Sequence, residues 1–149
     1  MAALAGEIWQ QHFTPIIGAE QVAYMVEKFQ SAPAMAEQMK TGGYQYFFME
    51  LDGILEGYVG VVPGDGALFL SKLYLRQALR GKHIATRALD FLKEKCRTEG
   101  LSKIWLTVNR HNDHTIAVYK KLGFATVREQ VSDIGNGYVM DDYVMELSL

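Results

Sequence analysis

The chain has 149 residues, long enough for one domain with a buried core, and its 49% hydrophobic and 21% charged residues describe a globular protein. A formal net charge of −2 supplies no basic field, which argues against a nucleic acid partner. One cysteine, Cys96, excludes an internal disulfide framework and fits a reducing compartment.

In chain order, Leu4, Ile8 and Trp9 recur at helical spacing, which predicts a helix over Leu4–Phe13 that ends before Pro15. Val22, Met25, Val26 and Phe29 share one face of a second helix over Ala19–Gln30, and Ala34–Met39 adds another turn. Tyr44–Leu51 and Leu55–Val62 read as strands joined through Asp52-Gly53, a hairpin signal. The turn Pro63–Gly66 leads into a third strand over Ala67–Leu75. Ile84, Ala88, Leu89, Leu92 and Cys96 form one stripe of a long helix that Gly100 stops. Ile104–Val108 is a buried strand, and a helix follows with Asn112 as its N-cap and Gly123 past its end. Two strands, Ala125–Asp133 and Tyr138–Leu147, flank the turn Gly135-Asn136-Gly137. No repeat, low-complexity tract or long linker intervenes, so residues 1–149 read as a single domain of α/β class.

The segment that carries chemistry runs from Leu73 to Thr86. An apolar strand end passes through a short basic loop into the first turn of an amphipathic helix. Free backbone N–H groups and the positive end of the helix dipole meet there, an arrangement suited to a diphosphate. Taken alone, the loop is also compatible with an ordinary basic turn opening a core helix. A Walker loop is absent, because Arg76 and His83 stand where its glycine and Ser/Thr would be. A dinucleotide fingerprint is absent too, since Gly81 has no partner glycines nearby.

Arg80-Gly81-Lys82-His83-Ile84-Ala85 resembles the acyl-CoA-binding loop of the Gcn5-related N-acetyltransferases, which reads Arg/Gln-x-x-Gly-x-Gly/Ala. His83 stands where that pattern has its central glycine. About thirty residues on, Asn112 to Phe124 resembles a second family segment, with the asparagine, Tyr119 and Gly123-Phe124 in step. The resemblance extends from roughly Tyr44 to the C-terminus. It implies a mixed, mostly antiparallel sheet with a central splayed parallel strand pair, flanked by helices. Family members begin with a short strand ahead of the first helix, and this sequence opens inside that helix, so the usual first strand is expected to be missing.

The resemblance also implies the site. Backbone amides of Gly81, Lys82, His83, Ile84, Ala85 and Thr86 would hold the diphosphate of acetyl-CoA, with Arg80 and Lys121 adding charge. If position 83 requires left-handed backbone, histidine is tolerated there at some cost. A bulge at the strand end Leu73-Tyr74-Leu75 would splay it from Ile104–Val108, exposing groups for the pantetheine arm, and the Leu75 N–H would polarise the thioester carbonyl. Asn112 would contact pantetheine besides capping its helix. Tyr119, seven residues and two helical turns on, would be the catalytic acid that protonates the leaving thiolate. A phenol pKa near 10 exceeds a thiol's roughly 8.5, so it holds its proton at neutral pH.

The expected reaction is therefore direct acetyl transfer from acetyl-CoA to a small-molecule primary amine in a ternary complex. Free amines are almost wholly protonated at pH 7, so a base is needed, and Glu50, Glu56, Asp141 and Asp142 all remain candidates. The acidic and aromatic run from Asp133 to Tyr143 suits a cation, and the layout is similar to small bacterial enzymes that include polyamine acetyltransferases. The alternative is a non-catalytic acyl-CoA-binding or sensing module. No metal is expected: His111 and His114 lack a third well-spaced ligand and read as solvated, and Cys96 reads as a buried, inert thiol. No apolar run approaches the about 20 residues of a membrane span, and Met1–Gly6 lacks a secretory layout. A cytoplasmic setting is expected, with homodimerisation through the last strands left open.

Overall fold

The computed structural model describes residues 1–76 and 83–149. Helix α1 spans Ala2–Ile17, α2 Ala19–Met25 and α3 Ala32–Thr41, with a π-helical turn over Val26–Gln30 between the last two. Strands β1 Gln45–Leu51, β2 Ile54–Pro63 and β3 Ala67–Leu75 follow. Then come α4 Ile84–Glu99, β4 Lys103–Asn109, α5 Asp113–Lys121, β5 Ala125–Gly135 and β6 Tyr138–Ser148. The six strands form one sheet in the order β1-β2-β3-β4-β6-β5. Only β3 and β4 run parallel; every other pairing is antiparallel. This is the mixed sheet with a central parallel pair that the sequence resemblance implied.

Alternation along the strands sorts side chains to two faces. Val59 and Val61 of β2, Leu68 and Leu70 of β3 and Ile104 and Leu106 of β4 pack with Leu89, Leu92 and Cys96 of α4. On the opposite face Tyr58 packs with Leu4, Ala5, Ile8 and Met35 from α1 and α3. Beside it, Trp9, Val22 and Met25 meet Ile134 from the last hairpin. That hairpin is pinned to α2: Gln21 Nε2 donates to Val139 O (3.0 Å) and the Tyr24 hydroxyl to Ile134 O (2.7 Å).

The parallel pair is short, and this positions the site. Registered partners run only from Ala67↔Lys103 to Phe69↔Trp105, where the two aromatic rings stack with centroids 4.2 Å apart. Beyond that stack the strands part. Against β2, the register of β3 slips between Val61↔Leu70 and Gly60↔Lys72, which makes Ser71 an extra residue, a β-bulge. The bulge thus lies ahead of Leu73-Tyr74-Leu75 and not within it. Bulging bends the strand, so Leu70–Leu75 leaves β4 while keeping its ladder to β2.

Three local expectations need correction. Helix α1 does not end before Pro15 but runs on to Ile17, because a proline one turn from the end forfeits little of the ladder. Gly18 ends it instead, at φ 86°, with its N–H on Thr14 O (3.0 Å). The second helix widens into a π turn, leaving Phe29 O to accept from Lys72 Nζ (2.7 Å) and Gln38 Nε2 (3.1 Å). Helix α3 is longer than Ala34–Met39, with Ser31 Oγ accepting from Ala34 N (3.3 Å), a cap that the Ser-Ala-Pro run carries in plain view. Among the described residues no helix is long and apolar enough to cross a membrane.

Candidate active site

A cleft of about 570 Å³ fills the gap where β3 and β4 diverge. The sequence-predicted residues Leu73, Tyr74, Leu75, His83, Ile84, Ala85, Thr86, Asn112, Tyr119 and Lys121 all line it. Arg80, Gly81 and Lys82 lie outside the described residues.

At one end stands the N-terminus of α4. The first ladder bond there is Arg87 N–H to His83 O (3.2 Å), so the amides of Ile84, Ala85 and Thr86 precede it and have no acceptor within the helix. The side chain of the N-cap residue, His83, does not cap them. His83 adopts φ 60°, ψ 18°, the left-handed backbone that the family's glycine pattern foreshadows. These three residues and His83 face the cleft together, so unsatisfied donors and the helix dipole favour an anion there.

Along the floor, β3 offers a free edge. Arg76 N–H is bound to Glu56 O (2.9 Å) on the β2 side. Antiparallel alternation then turns the N–H and C=O of Leu75, and of Leu73 two residues before, toward the gap left by β4. An extended amide-bearing ligand could pair with that edge as an added strand does.

Helix α5 forms a second wall. Tyr119 lies on it half-buried, its ring edge-on to Phe124 at 5.4 Å. Burial pushes its phenol up to about 12, so it stays protonated across the physiological range. Asn112 sits at the N-cap position of α5, but its side chain makes no capping bond, contrary to the sequence reading. Its Oδ1 instead accepts from His12 Nε2 of α1 (3.2 Å), a long-range partner that outcompetes the local one. The Asn112 side chain is buried in that contact.

The far wall comes from α1, α2 and β6. Trp9, Phe13 and Tyr74 cluster there, with centroids at 4.3 Å for Trp9–Phe13 and 5.6 Å for Trp9–Tyr74. Trp9 is only 5% exposed, and its indole N–H, beside the Tyr74 ring, has no aligned acceptor among the described residues. Desolvation, then the Tyr119 phenol, drives the Tyr74 hydroxyl far above the ordinary phenol range.

Of the four candidate bases, one reaches the cleft. Glu50 is exposed on edge strand β1, Glu56 pairs with Arg76 (3.2 Å), and Asp141 pairs with Arg110 (2.8 Å). Asp142 is 3% exposed, lines the cleft, and has no hydrogen-bond or ion-pair partner among the described residues. Burial, then neighbouring Asp141, raises it to about 6, leaving it mostly ionised at neutral pH. Cys96 is fully buried and its thiol raised by that burial. In the sequence Trp9 stood out only through its helical spacing, and His12, Phe13 and Met140 carried no expectation. The aromatic enrichment of residues 9–13 was the available signal.

The family model for the Acetyltransferase (GNAT) family matches residues 7–124. An uncharacterized N-acetyltransferase in the pepI 3′ region of Lactobacillus delbrueckii subsp. lactis is 24% identical over 142 residues, covering 90% of this chain and 82% of that protein. The uncharacterized N-acetyltransferase YjgM of Escherichia coli is 30% identical over 86 residues, 55% of this chain and 52% of its own length. Among solved structures, the PaiA N-acetyltransferase from Thermoplasma acidophilum, in complex with coenzyme A, superposes with a TM-score of 0.82 at 19% identity, covering 99% of this chain and 90% of that one. A Bacillus subtilis acetyltransferase in complex with CoA gives a TM-score of 0.63 at 15% identity, covering 79% and 86%. With its family model spanning most of the sequence and its fold shared with these structures, the chain belongs to the GNAT family of acetyltransferases.

Proposed function

We propose that the protein moves the acetyl group of acetyl-CoA directly onto a primary amine held in the same cleft. The observation that carries this reading is the junction itself, where uncapped amides, an open strand edge, a protonated phenol and a buried carboxylate converge on one opening. The amides of Ile84, Ala85 and Thr86 fit a diphosphate, and the free edge of Leu73 and Leu75 fits an amide-bearing arm. Lys121, exposed at the cleft margin, adds charge for the nucleotide phosphates. In this reading Asn112 borders the pantetheine arm from the cleft wall, its side chain being engaged by His12.

The residues then divide the work. Asp142 attracts the ammonium and takes one proton from it, which frees the nitrogen lone pair for attack, and the second nitrogen proton passes to water as the C–N bond forms. The Leu75 N–H stabilises the charge that develops on the thioester oxygen. Tyr119 delivers its phenolic proton to sulfur as the C–S bond breaks, so the products are an N-acetylated amine and free thiol. Exchange with water restores both side chains. A polyamine acceptor, suggested by the acidic last strands, has less support, because Asp141 is held by Arg110 and faces away from Asp142. A homodimer through edge strand β5 accompanies the reading, supported by exposed Val127 and Val131. A cytoplasmic setting accompanies it as well, in keeping with a sequence that carries a single cysteine.

Titration with acetyl-CoA, followed by thiol release in the presence of an amine panel, tests the proposal. Saturable binding with amine-dependent release is expected. Binding without release from any amine would instead identify an acyl-CoA sensor, and no binding at millimolar ligand would remove the reading entirely.

A further inference from the structure

We infer that the acyl acceptor is a small amine with one positive charge and an apolar or aromatic body, in preference to a polyamine or an extended peptide. The inference rests on the acetyltransferase reading above and narrows its substrate class. Its first ground is a census of negative charge. Asp142 is the one carboxylate lining the cleft among the described residues, and residues 77–82 contain neither Asp nor Glu. The other acids of the last hairpin are engaged elsewhere. Arg110 holds Asp141 at 2.8 Å and Glu129 at 3.4 Å, and Asp133 Oδ1 accepts from its own turn at Gly135 N (2.8 Å). One carboxylate matches one ammonium.

The second ground is the aromatic surface that lines the same cleft as that carboxylate. Trp9, Phe13 and Tyr74 present an aromatic cluster in which Tyr74 meets the other two rings edge-to-face, Phe13 at 6.3 Å and 88°. Ile17, Met25 and Met140 continue the same surface. Aromatic faces attract a cation and bury an apolar chain at once, whereas a second ammonium on that surface would lose water and gain no counter-charge. The pinning of the last hairpin onto α2 supports this wall from outside, through Gln21 to Val139 O (3.0 Å) and Tyr24 to Ile134 O (2.7 Å). The surface therefore suits a compact apolar body over a long one that carries further charges.

The test measures thiol release from acetyl-CoA with 2-phenylethylamine, spermidine and a lysine-containing peptide as acceptors. The expected result is a kcat/KM for 2-phenylethylamine at least tenfold above either competitor. Phe13→Ala should raise KM for 2-phenylethylamine tenfold or more with kcat little changed, while acetyl-CoA Kd stays within twofold. Phe13→Leu should recover much of the loss, and the retained acetyl-CoA affinity certifies that both variants fold. Preference for spermidine or peptide overturns the inference but leaves the acetyltransferase reading intact. Absence of acetyl-CoA binding, or of release with every amine, overturns both together.

Discussion

Asp141 and Asp142 are neighbours in β6 whose carboxylates lie on opposite faces of the sheet. Asp141 is bound by Arg110 at 2.8 Å, while Asp142 is buried in the cleft wall without a partner among the described residues. An ionised carboxylate kept in that state costs stability. The linkage sign follows from its raised pKa of about 6 against 3.8: the folded state favours the proton, so the contribution to stability is present below pH 3.8 and lost as pH rises through 6. Asp142→Asn should therefore stabilise the fold at pH 7.5, by on the order of 1–3 kcal/mol. The same change should abolish most turnover. In the wild type, kcat/KM should fall as pH drops through about 6. A variant less stable than wild type, or one with full turnover, would contradict the assignment; thermal melts and pH-rate profiles measure both.

Tyr119 is the acid in the proposed reaction. Removing its hydroxyl leaves the ring to pack against Phe124 at 5.4 Å, so the fold and the cofactor groove should persist. Tyr119→Phe should lower kcat by roughly 10²–10⁴, the usual range for a lost general acid, with acetyl-CoA affinity within twofold. Because the phenol lies near 12, no loss of activity from its ionisation should be seen below pH 10. Undiminished kcat would transfer the acid role to another group.

These two roles were unequally legible in the sequence. Tyr119 stands in step with a motif, and motifs are local strings. The strand Ala67–Leu75, the hairpin at Asp52-Gly53 and the helix stop at Gly100 were legible for the same reason, since turn chemistry acts within a few residues. Asp52 and Gly53 indeed adopt φ of 53° and 79°, both left-handed, as such a turn requires. Asn112 shows the limit. Its local preference is to cap α5, and a histidine 100 residues away in α1 diverts it. Likewise the π turn depends on Lys72 and Gln38 arriving from β3 and α3, and Asp142 differs from Asp141 only through what each face meets. Pairwise contacts of that reach leave no periodic trace.

His83 sits at φ 60°, where glycine carries no Cβ penalty. His83→Gly should relieve backbone strain and cost some chain entropy, for a net gain of up to about 1 kcal/mol. Acetyl-CoA Kd should stay the same or tighten if backbone amides do the binding, as proposed. A tenfold weakening would show instead that the imidazole itself contacts the phosphates.

Lys72 offers a stability test independent of catalysis. It is 3% exposed, and its Nζ donates to Phe29 O (2.7 Å), Gln38 Oε1 (2.7 Å) and Tyr46 OH (2.6 Å), with no carboxylate among these partners. Burial lowers it to about 7 from 10.5. The unfolded chain keeps its proton up to 10.5 while the folded chain releases it above 7, so stability should rise with pH across that interval, by on the order of 1–3 kcal/mol. The window is separate from that of Asp142, whose effect is complete by pH 7. It also precedes ionisation of the unfolded tyrosines, which reverses the trend near pH 10 because Tyr46, Tyr58 and Tyr74 are held protonated in the fold. Lys72→Met removes the titrating group and should flatten the slope between pH 7 and 9.5, whatever its effect on the absolute melting temperature. Denaturant melts at four pH values compare the slopes directly, and a wild-type curve that is flat or falling over that range would show that the three oxygen acceptors keep the ammonium charged in the folded protein.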